Sequence, residues 1–244
     1  MYFRQLFLIS CLTALVASLG FSLYQWYLVN PIIFAAELFE LAEPIDLTAT
    51  EHGLEQTESW APDDGIERSL YTLLANFLMS LAYSLLLGCA VVFRGPSSTL
   101  KGLTWGMAAY LSVFIAPGLG LAPEIPGMEA ADLSQRQNWW LLTVSLTSIG
   151  LAVLAFSPRY YKGAGLILML LPHLIGAPAP EIHGFSHSDP EAVAMLTGLW
   201  HQFILQTSIA NALLWFIIGC STGFLCHKFI DAVPPLQPTK LNKA

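Results

Sequence analysis

The sequence predicts an all-α polytopic membrane protein with six transmembrane helices arranged as three hairpins with acidic outer loops. Its apolar residues are collected in six long blocks, and only 11% of all residues are charged, whereas a soluble domain carries about 25%. The basic residues fall almost entirely on alternate connections between the blocks, as expected for a polytopic protein. The apolar blocks make the lipid bilayer the first partner expected. The net charge of −7 argues against nucleic acid and against an anionic-lipid surface as partners.

The blocks have the length that a membrane helix needs. The first is interpreted as a retained span, because a signal peptide would have a shorter apolar core and a small-residue cleavage site. The fifth is the shortest: residues 163–177 reach about 22 Å as a helix, and an interfacial Tyr160–Tyr161 pair extends this to about 27 Å. The predicted spans are 6–29, 70–93, 102–122, 139–156, 160–177 and 199–225, within one transmembrane domain, 1–232, that a cytoplasmic tail, 233–244, follows.

The charges predict the orientation. With the N-terminus in the cytoplasm, every Lys and Arg except Arg68 and Arg136 lies inside, and every acid except Asp231 lies outside. A re-entrant fifth segment would move the basic C-terminal residues outside, so six spans with both termini cytoplasmic are expected. The outer face would then be acidic, and such a field concentrates cations.

A candidate metal site lies on this outer side. The stretch 170–187 leaves an apolar run at a Pro-His pair and then breaks at a Gly/Pro turn, which indicates a shaped loop. Carboxylate and imidazole together suit a borderline divalent transition metal. The spacing matches no fixed zinc motif, and incidental loop histidines are the alternative. The candidate ligands are His173, Glu181, His183 and His201, with His187 and Glu124 as further candidates, and the first three are expected to share one ion.

Charged and aromatic residues at the loop ends are expected to hold the loops in place. Arg136 precedes an interfacial tryptophan pair and is predicted to pair with Glu124 or Asp132. Two residues before the second span have a similar expected role. The loop-anchoring set is Glu67, Arg68, Asp132, Arg136, Trp139 and Trp140.

Inside the predicted spans, polar residues are few. No Asp, Glu, Lys or Arg lies at mid-depth, which argues against a proton relay. Amide and hydroxyl oxygens could pass a partly dehydrated cation, although such groups more often form hydrogen bonds between helices. The pore-lining candidates are Thr72, Asn76, Thr207 and Asn211. No nucleotide-binding loop or catalytic constellation is apparent, so neither an enzyme nor a permanently bound cofactor is expected.

The outer loops indicate an internal repeat. The second contains Ala122–Gly127 and the third Ala179–Gly184, which match at five of six positions, while the first contains a weaker match, Ala61–Gly65. The interpretation is three parallel hairpins, 1–93, 102–156 and 160–227, related by a pseudo-threefold axis along the membrane normal. Convergent turn chemistry is the alternative, since Pro and Gly recur in loops.

These motifs resemble those of a known family. The matching residues are Trp60-Ala61-Pro62, Gly65, Glu67-Arg68, Thr72 and Ala75-Asn76, then Pro123-Glu124, Pro126-Gly127, Arg136-Gln137, Trp139-Trp140, Leu171-Pro172-His173 and Gly176-Ala177-Pro178. The whole chain thereby resembles CbtA, the membrane subunit of a bacterial cobalt transporter. The resemblance implies cobalt uptake for cobalamin synthesis, across the inner membrane, with a small single-span histidine-bearing subunit, CbtB. Members often carry a run of histidines in the first outer loop, whereas 51–60 retains only His52, which weakens the case for high-affinity capture there.

Two functions from different classes remain open. In the first, the chain is a membrane subunit of a divalent-cation transporter, driven by the membrane potential because no nucleotide site or intramembrane carboxylate is present. In the second, it binds or assembles a partner and transports nothing. Nickel is an alternative to cobalt, since both suit imidazole and carboxylate, and a homo-oligomer is a further alternative to the two-subunit assembly.

Overall fold

The computed structural model describes residues 2–42, 62–95, 97–180 and 184–231. The predicted cytoplasmic tail lies outside these ranges. Most described residues are helical, and the loops contribute one isolated β-bridge, between Met128 and Phe185. The α-helices are α1 (Tyr2–Tyr24), α2 (Asn30–Ala42), α3 (Ile66–Phe93), α4 (Thr99–Tyr110), α5 (Ala116–Gly118), α6 (Leu133–Phe156), α7 (Lys162–Ile175) and α8 (Pro190–Cys226), with π-helical segments at Gln25–Val29, Leu111–Ile115 and His227–Asp231 and a 3₁₀ turn at Arg159–Tyr161.

Two π-helical segments carry a helix past a proline. Gln25–Val29 joins α1 to α2 just before Pro31, and Leu111–Ile115 joins α4 to α5 just before Pro117. Proline removes one helical hydrogen bond and its ring clashes with the carbonyl four residues earlier, and a wider π turn relieves that clash. The first helix therefore continues well beyond the predicted end at residue 29.

Helix starts also differ from the hydropathy-based prediction. α6 begins six residues before the predicted 139, because Asp132 caps it by accepting a hydrogen bond from Gln135 N. α8 begins nine residues before the predicted 199, where Asp189 accepts from Glu191 N and Pro190 occupies the first turn. Hydropathy finds the lipid-facing part of a helix, whereas capping groups decide where it begins.

Four helices are long and apolar enough to cross a membrane: Phe3–Phe39, Ile66–Phe93, Leu133–Phe156 and Pro190–Asp231. The other two predicted spans correspond to the interrupted helix of α4 and α5, and to α7. α7 has 14 residues, which is about 21 Å of helix and shorter than a full crossing. The all-α class is thus confirmed, with four candidate membrane spans among the described residues, and the arrangement of six spans stays a prediction.

The closest helix pairs in the described residues are α1 with α3, α4 with α8, and α6 with α7. The predicted third hairpin, 160–227, would pair α7 with α8, and this pair is not among the closely packed ones. Glycines explain the difference: Gly219 and Gly223 of α8 meet Gly102 of α4, and Gly165 of α7 meets Gly150 of α6. Superposition of the three hairpins about one axis stays a prediction.

Two apolar clusters hold the molecule together. The larger joins α1, α3 and α8 around Phe21, Leu87, Leu214 and Ile218, and half-buried Tyr83 packs there against buried Trp215. The smaller joins α2, the loop before α6 and the start of α8 around Ala36, Ile125 and Leu196. The smaller cluster positions the loops at one end of the helix bundle.

The two ends of the bundle differ in charge. The end that holds the smaller cluster, here called the acidic end, includes Glu37, Glu67, Glu124, Glu129 and Asp189. The opposite or basic end includes Arg4, Arg94, Lys101, Lys162 and Lys228. Its connections are tied together by Ser97, whose N–H and Oγ both donate to Asp231 Oδ2 at 2.6 Å, and by the Arg94 guanidinium over the Phe156 ring. Asp231 is the one described acid at the basic end.

Candidate cation-binding site and transmembrane polar contacts

Arg68 of α3 links this helix to α2 at the acidic end. Its guanidinium contacts Glu37 Oε1 at 2.6 Å and Asp64 Oδ1 at 3.1 Å, and lies over the Phe34 ring. Glu67, which precedes it, is exposed in the first turn of α3. Because two acids face one arginine, this cluster keeps a net negative charge.

Arg136 makes the second ion pair of the acidic end. Its Nη2 lies 2.7 Å from Glu124 Oε2, so Glu124 rather than Asp132 is its partner in this structure. Asp132 instead caps α6, and hydrogen bonds from the Ser134 hydroxyl and the Gln135 N–H lower the pKa of its carboxyl. The pair lines a groove beside half-buried Trp140. Glu124 is therefore occupied by a cation of the protein itself.

Two tryptophans donate hydrogen bonds to backbone carbonyls of other segments. Trp139, 6% exposed, donates from its indole N–H to the Pro172 carbonyl at 3.2 Å, and its ring meets His173 edge to face. Trp200 donates to the Pro123 carbonyl at 2.8 Å, and exposed His201 stacks on it. His173 and His201 thus lie on different helices, each against its own tryptophan.

The predicted metal ligands are only partly within the described residues. Glu181 and His183 lie outside them, so the expected His173–Glu181–His183 cluster remains a prediction. Across the described ranges, no group of three or more His, Cys, Asp or Glu side chains could hold a metal.

His187 is placed by a turn at the start of α8. Its Nδ1 accepts a hydrogen bond from Asp189 N at 3.0 Å. In a neutral imidazole, an accepting Nδ1 requires the proton on Nε2. Coordination of a metal through Nε2 would move that proton to Nδ1 and would therefore break the hydrogen bond from Asp189 N. His187 also lines a cavity of about 330 Å³ with Glu129 and Ser186, whose side chains are 3.4 Å apart.

Polar groups of three helices, α1, α4 and α8, meet between the acidic end and the middle of the bundle. Tyr24 donates its hydroxyl to Gln206 Oε1 at 2.7 Å, and Tyr110 donates to the Ser208 carbonyl at 3.0 Å. Both tyrosines directly precede a π-helical segment. The two distorted helices are therefore held to neighbouring residues of α8.

The pore-lining candidates have different surroundings. Asn76 Nδ2 donates to Gln25 Oε1 at 2.6 Å and to Ser22 Oγ at 2.9 Å, which joins α3 to α1. Thr72 and Asn211 instead hydrogen-bond to carbonyls of their own helices. The Thr207 hydroxyl is buried and has no hydrogen-bond partner among the described residues. Of these four candidates, only Asn76 forms a hydrogen bond to another helix among the described residues.

A row of small polar residues that the sequence analysis missed continues from Asn76 along α3. Asn76, Ser80, Ser84 and Gly88 follow one another at four-residue intervals, and all four are buried. On α1, Ser10, Ala14, Ser18 and Ser22 have the same spacing. Four-residue spacing puts residues on one face of a helix.

The two rows face each other. Asn76 bonds to Ser22 at one end, and at the other Leu6 Cδ1 lies 2.7 Å from the position that a β-carbon on Gly88 would take. We call the set Ser10, Ser18, Ser22, Asn76, Ser80 and Ser84 the α1–α3 seam. The spacing was the available sequence signal, and it was overlooked because these residues are uncharged.

Comparison with known proteins identifies one family. The model of the family described as "Probable cobalt transporter subunit (CbtA)" matches residues 3–227. No curated protein and no solved structure matches this chain.

Proposed function

The chain belongs to the CbtA family of probable cobalt transporter subunits, and from that premise we propose that it takes part in uptake of a divalent transition metal across the bacterial inner membrane. The proposed orientation has both termini in the cytoplasm and the acidic end outside. The observation that carries the proposal is the separation of charge between the two ends. Basic residues collect at the basic end as the positive-inside rule requires, whereas acids contribute little to orientation and so call for another role.

We propose six crossings rather than four. The interrupted α4–α5 helix and α7 both start beside the basic end, since Trp105 stacks near Phe156 and α7 follows the turn at Arg159. Both reach the acidic end, where Pro117 lies in the groove beside Arg136 and Pro172 accepts from Trp139. Flanking aromatic and basic residues can accommodate a helix as short as α7 in the bilayer.

The acidic end is proposed to collect cations. Arg68 and Arg136 are both neutralised by acids, which leaves the other carboxylates to set a negative potential at the mouth. His173, Glu181, His183 and His201, with His187, are proposed to select a transition metal there, because imidazole and carboxylate bind cobalt and nickel alike. The choice of cobalt over nickel rests only on the description of the matching family.

The membrane potential is the proposed driving force. A divalent cation that enters a negative interior gains about 2.3 kcal/mol per charge per 100 mV, or about 4.6 kcal/mol in all. At about 1.4 kcal/mol per tenfold, this supports roughly a thousandfold accumulation. No nucleotide site or mid-depth carboxylate in the sequence supplies another coupling.

The proposed partner is a small single-span subunit such as CbtB. α7 packs on α6 with one face and leaves Leu166, Ile167, Leu170 and Leu174 exposed. That face suits lipid or an added helix. A partner helix on that face is equally compatible with the second candidate function, in which the chain only binds and assembles its partner.

Uptake of radioactive cobalt in cells tests this function. Cells that express the chain with its small partner should accumulate cobalt, and a potassium ionophore that collapses the potential at constant pH gradient should abolish accumulation. Cells that express either subunit alone show which subunit is needed for uptake. If the pair takes up no cobalt although both subunits are present in the membrane, that result would support the assembly role. Uptake that survives the ionophore but stops on ATP depletion would contradict the potential-driven mechanism.

A further inference from the structure

We propose that the α1–α3 seam is the route by which a partly hydrated divalent cation crosses the membrane. This inference rests on the proposed transport function and assigns the path within it. The seam joins the two ends of the molecule: α3 runs from Arg68, beside Glu37, through Asn76 and Ser84 to Gly88 near the basic end. Thr72 to Gly88 covers about 24 Å of helix, most of a hydrocarbon core.

Three of the five serine hydroxyls of the seam are buried and have no hydrogen-bond partner in the part of the chain that the structure describes, whereas Ser18 donates to the Leu15 carbonyl and Ser22 accepts from Asn76. Ser10, Ser80 and Ser84 are each 0% exposed, and the hydroxyl of each has no hydrogen-bond partner among the described residues. The hydroxyl of Thr13, also on α1, is in the same state. Buried polar groups normally find partners, so several unsatisfied oxygens in one interface indicate a ligand that is bound in another state.

The chemistry of these groups suits a cation. Hydroxyl and amide oxygens can replace part of a hydration shell without a full charge of their own, which allows an ion to bind and leave again. Asn76 and Gln25 lie at the acidic side of the row, where an ion from the mouth would first meet them. The seam therefore offers neutral oxygen ligands in sequence.

The other close helix pairs do not offer such a path. α4 and α8 meet through glycine backbone. α6 supplies Thr143 and Thr147 toward α7, but α7 has no polar side chain between Lys162 and His173. Among the three closest pairs, polar side chains on both partners therefore distinguish α1–α3.

The seam is closed toward the basic end in this structure. The Leu6 side chain occupies the space that Gly88 leaves, and the Thr222 methyl lies 3.7 Å from the β-carbon position of Gly88. Such an apolar constriction stops ions by excluding water. Opening requires only that Leu6 change rotamer or that α1 shift relative to α3, so we assign the gate to Leu6 and Gly88.

Cysteine accessibility tests the route. Cys11, Cys89, Cys220 and Cys226 are first replaced by Ser in the full chain, which is expressed with its partner in membrane vesicles. Ser80→Cys and Ser84→Cys are then introduced singly, since Ser to Cys changes little in volume. The probe is a small, charged methanethiosulfonate reagent, applied with and without cobalt chloride.

Two kinds of control match these variants. Leu78→Cys and Leu86→Cys lie on the lipid-facing side of the same helix, where these leucines are 55% and 70% exposed. Thr147→Cys lies in α6 at a residue that is equally buried and whose hydroxyl is equally unpartnered, but it faces an apolar helix. The cysteine-free parent must take up cobalt, which shows that it is functional. Each variant must then show the same gel-filtration profile as this parent, which shows that the variant is folded.

We expect Ser80→Cys and Ser84→Cys to react at least tenfold faster than all three controls, cobalt to slow that reaction, and labelling to abolish uptake. Labelling no faster than the controls, in a parent that takes up cobalt, overturns the route and leaves the proposed function intact. Absence of uptake in the wild-type pair overturns the proposed function, and the route as a cobalt path with it.

Discussion

The α4–α8 and α1–α3 interfaces both place small residues between helices, but their chemistry is different. In α4–α8 the small residues are glycines, and a β-carbon on Gly102 would lie 2.6 Å from Gly223 Cα, so backbone meets backbone. In α1–α3 they are mainly serines, and the tightest approach is to the mobile end of the Leu6 side chain. Small residues thus yield a rigid contact in one pair and a polar, adjustable one in the other.

The difference shows what small residues do in a membrane bundle. Apolar burial drives helices together only weakly there, so close packing and hydrogen bonds decide association. The glycine contact uses packing alone and leaves no side chain to move. The serine contact keeps oxygens between the helices, and each unsatisfied one costs stability that a purely structural interface would avoid.

The largest effect is expected at the glycine contact. Gly102→Ala would place a methyl group against the Gly219 carbonyl and the Gly223 backbone. Backbone cannot yield as a side chain can, so we expect a loss of about 3 kcal/mol or failure to assemble. Thermal unfolding in detergent measures it. The control is Gly198→Ala on α8, where a β-carbon meets nothing within 4 Å; an equal loss there would contradict the interpretation.

A smaller loss is expected from Asn76→Ala. It removes two hydrogen bonds between α3 and α1 and leaves the Gln25 amide oxygen without its donor. Polar contacts in membrane bundles contribute about 0.6–1.7 kcal/mol, so we expect a loss of about 1 kcal/mol in unfolding free energy. Asn211→Ala is the matched control, because its amide bonds only to the Thr207 carbonyl of its own helix. A control as damaging as Asn76→Ala would remove the cross-helix explanation.

Gly88→Ala should lower the unfolding free energy less than Gly102→Ala does, although both substitutions add one methyl group. The added methyl meets the flexible end of Leu6, which can rotate away at about 0.5–1.5 kcal/mol. Leu6→Val shortens that side chain, so the double variant should recover part of the loss. A double-mutant cycle in thermal unfolding measures the coupling, and additive losses would show that the two residues do not interact.

The smallest effect on stability is expected for Ser84→Ala. Its hydroxyl has no partner in the described residues, so its removal should leave unfolding free energy unchanged or slightly higher. Ser112→Ala is the control, since that buried hydroxyl donates to the Ala108 carbonyl. Cobalt uptake by Ser84→Ala should nevertheless fall. A clear stability loss with normal uptake would instead make the seam an ordinary interhelical contact.

Much of the architecture was accessible to sequence reasoning because it depends on local rules. Apolar blocks and the charge bias predicted the membrane class and the two unlike ends. The predicted third span, 102–122, already included Pro117, but the predicted first span ended at residue 29, before Pro31. Hydropathy did not predict that passage, because π-helical relief depends on a neighbouring helix that holds the chain, as Gln206 of α8 holds Tyr24 here. The Glu37 partner of Arg68 was also missed, since 31 residues separate the two.

The sequence by itself determined which residues tolerate lipid, which end is acidic and which family's motifs the loops carry, because hydropathy, charge and short motifs are properties of residues and their near neighbours. Only the tertiary structure decided that α8 packs on α4 rather than on α7, and that Ser80 and Ser84 face α1. Helix pairing is selected by the fit of two surfaces distant in the chain. The role of a glycine or serine in a helix becomes clear only when the helix surface that it contacts is known.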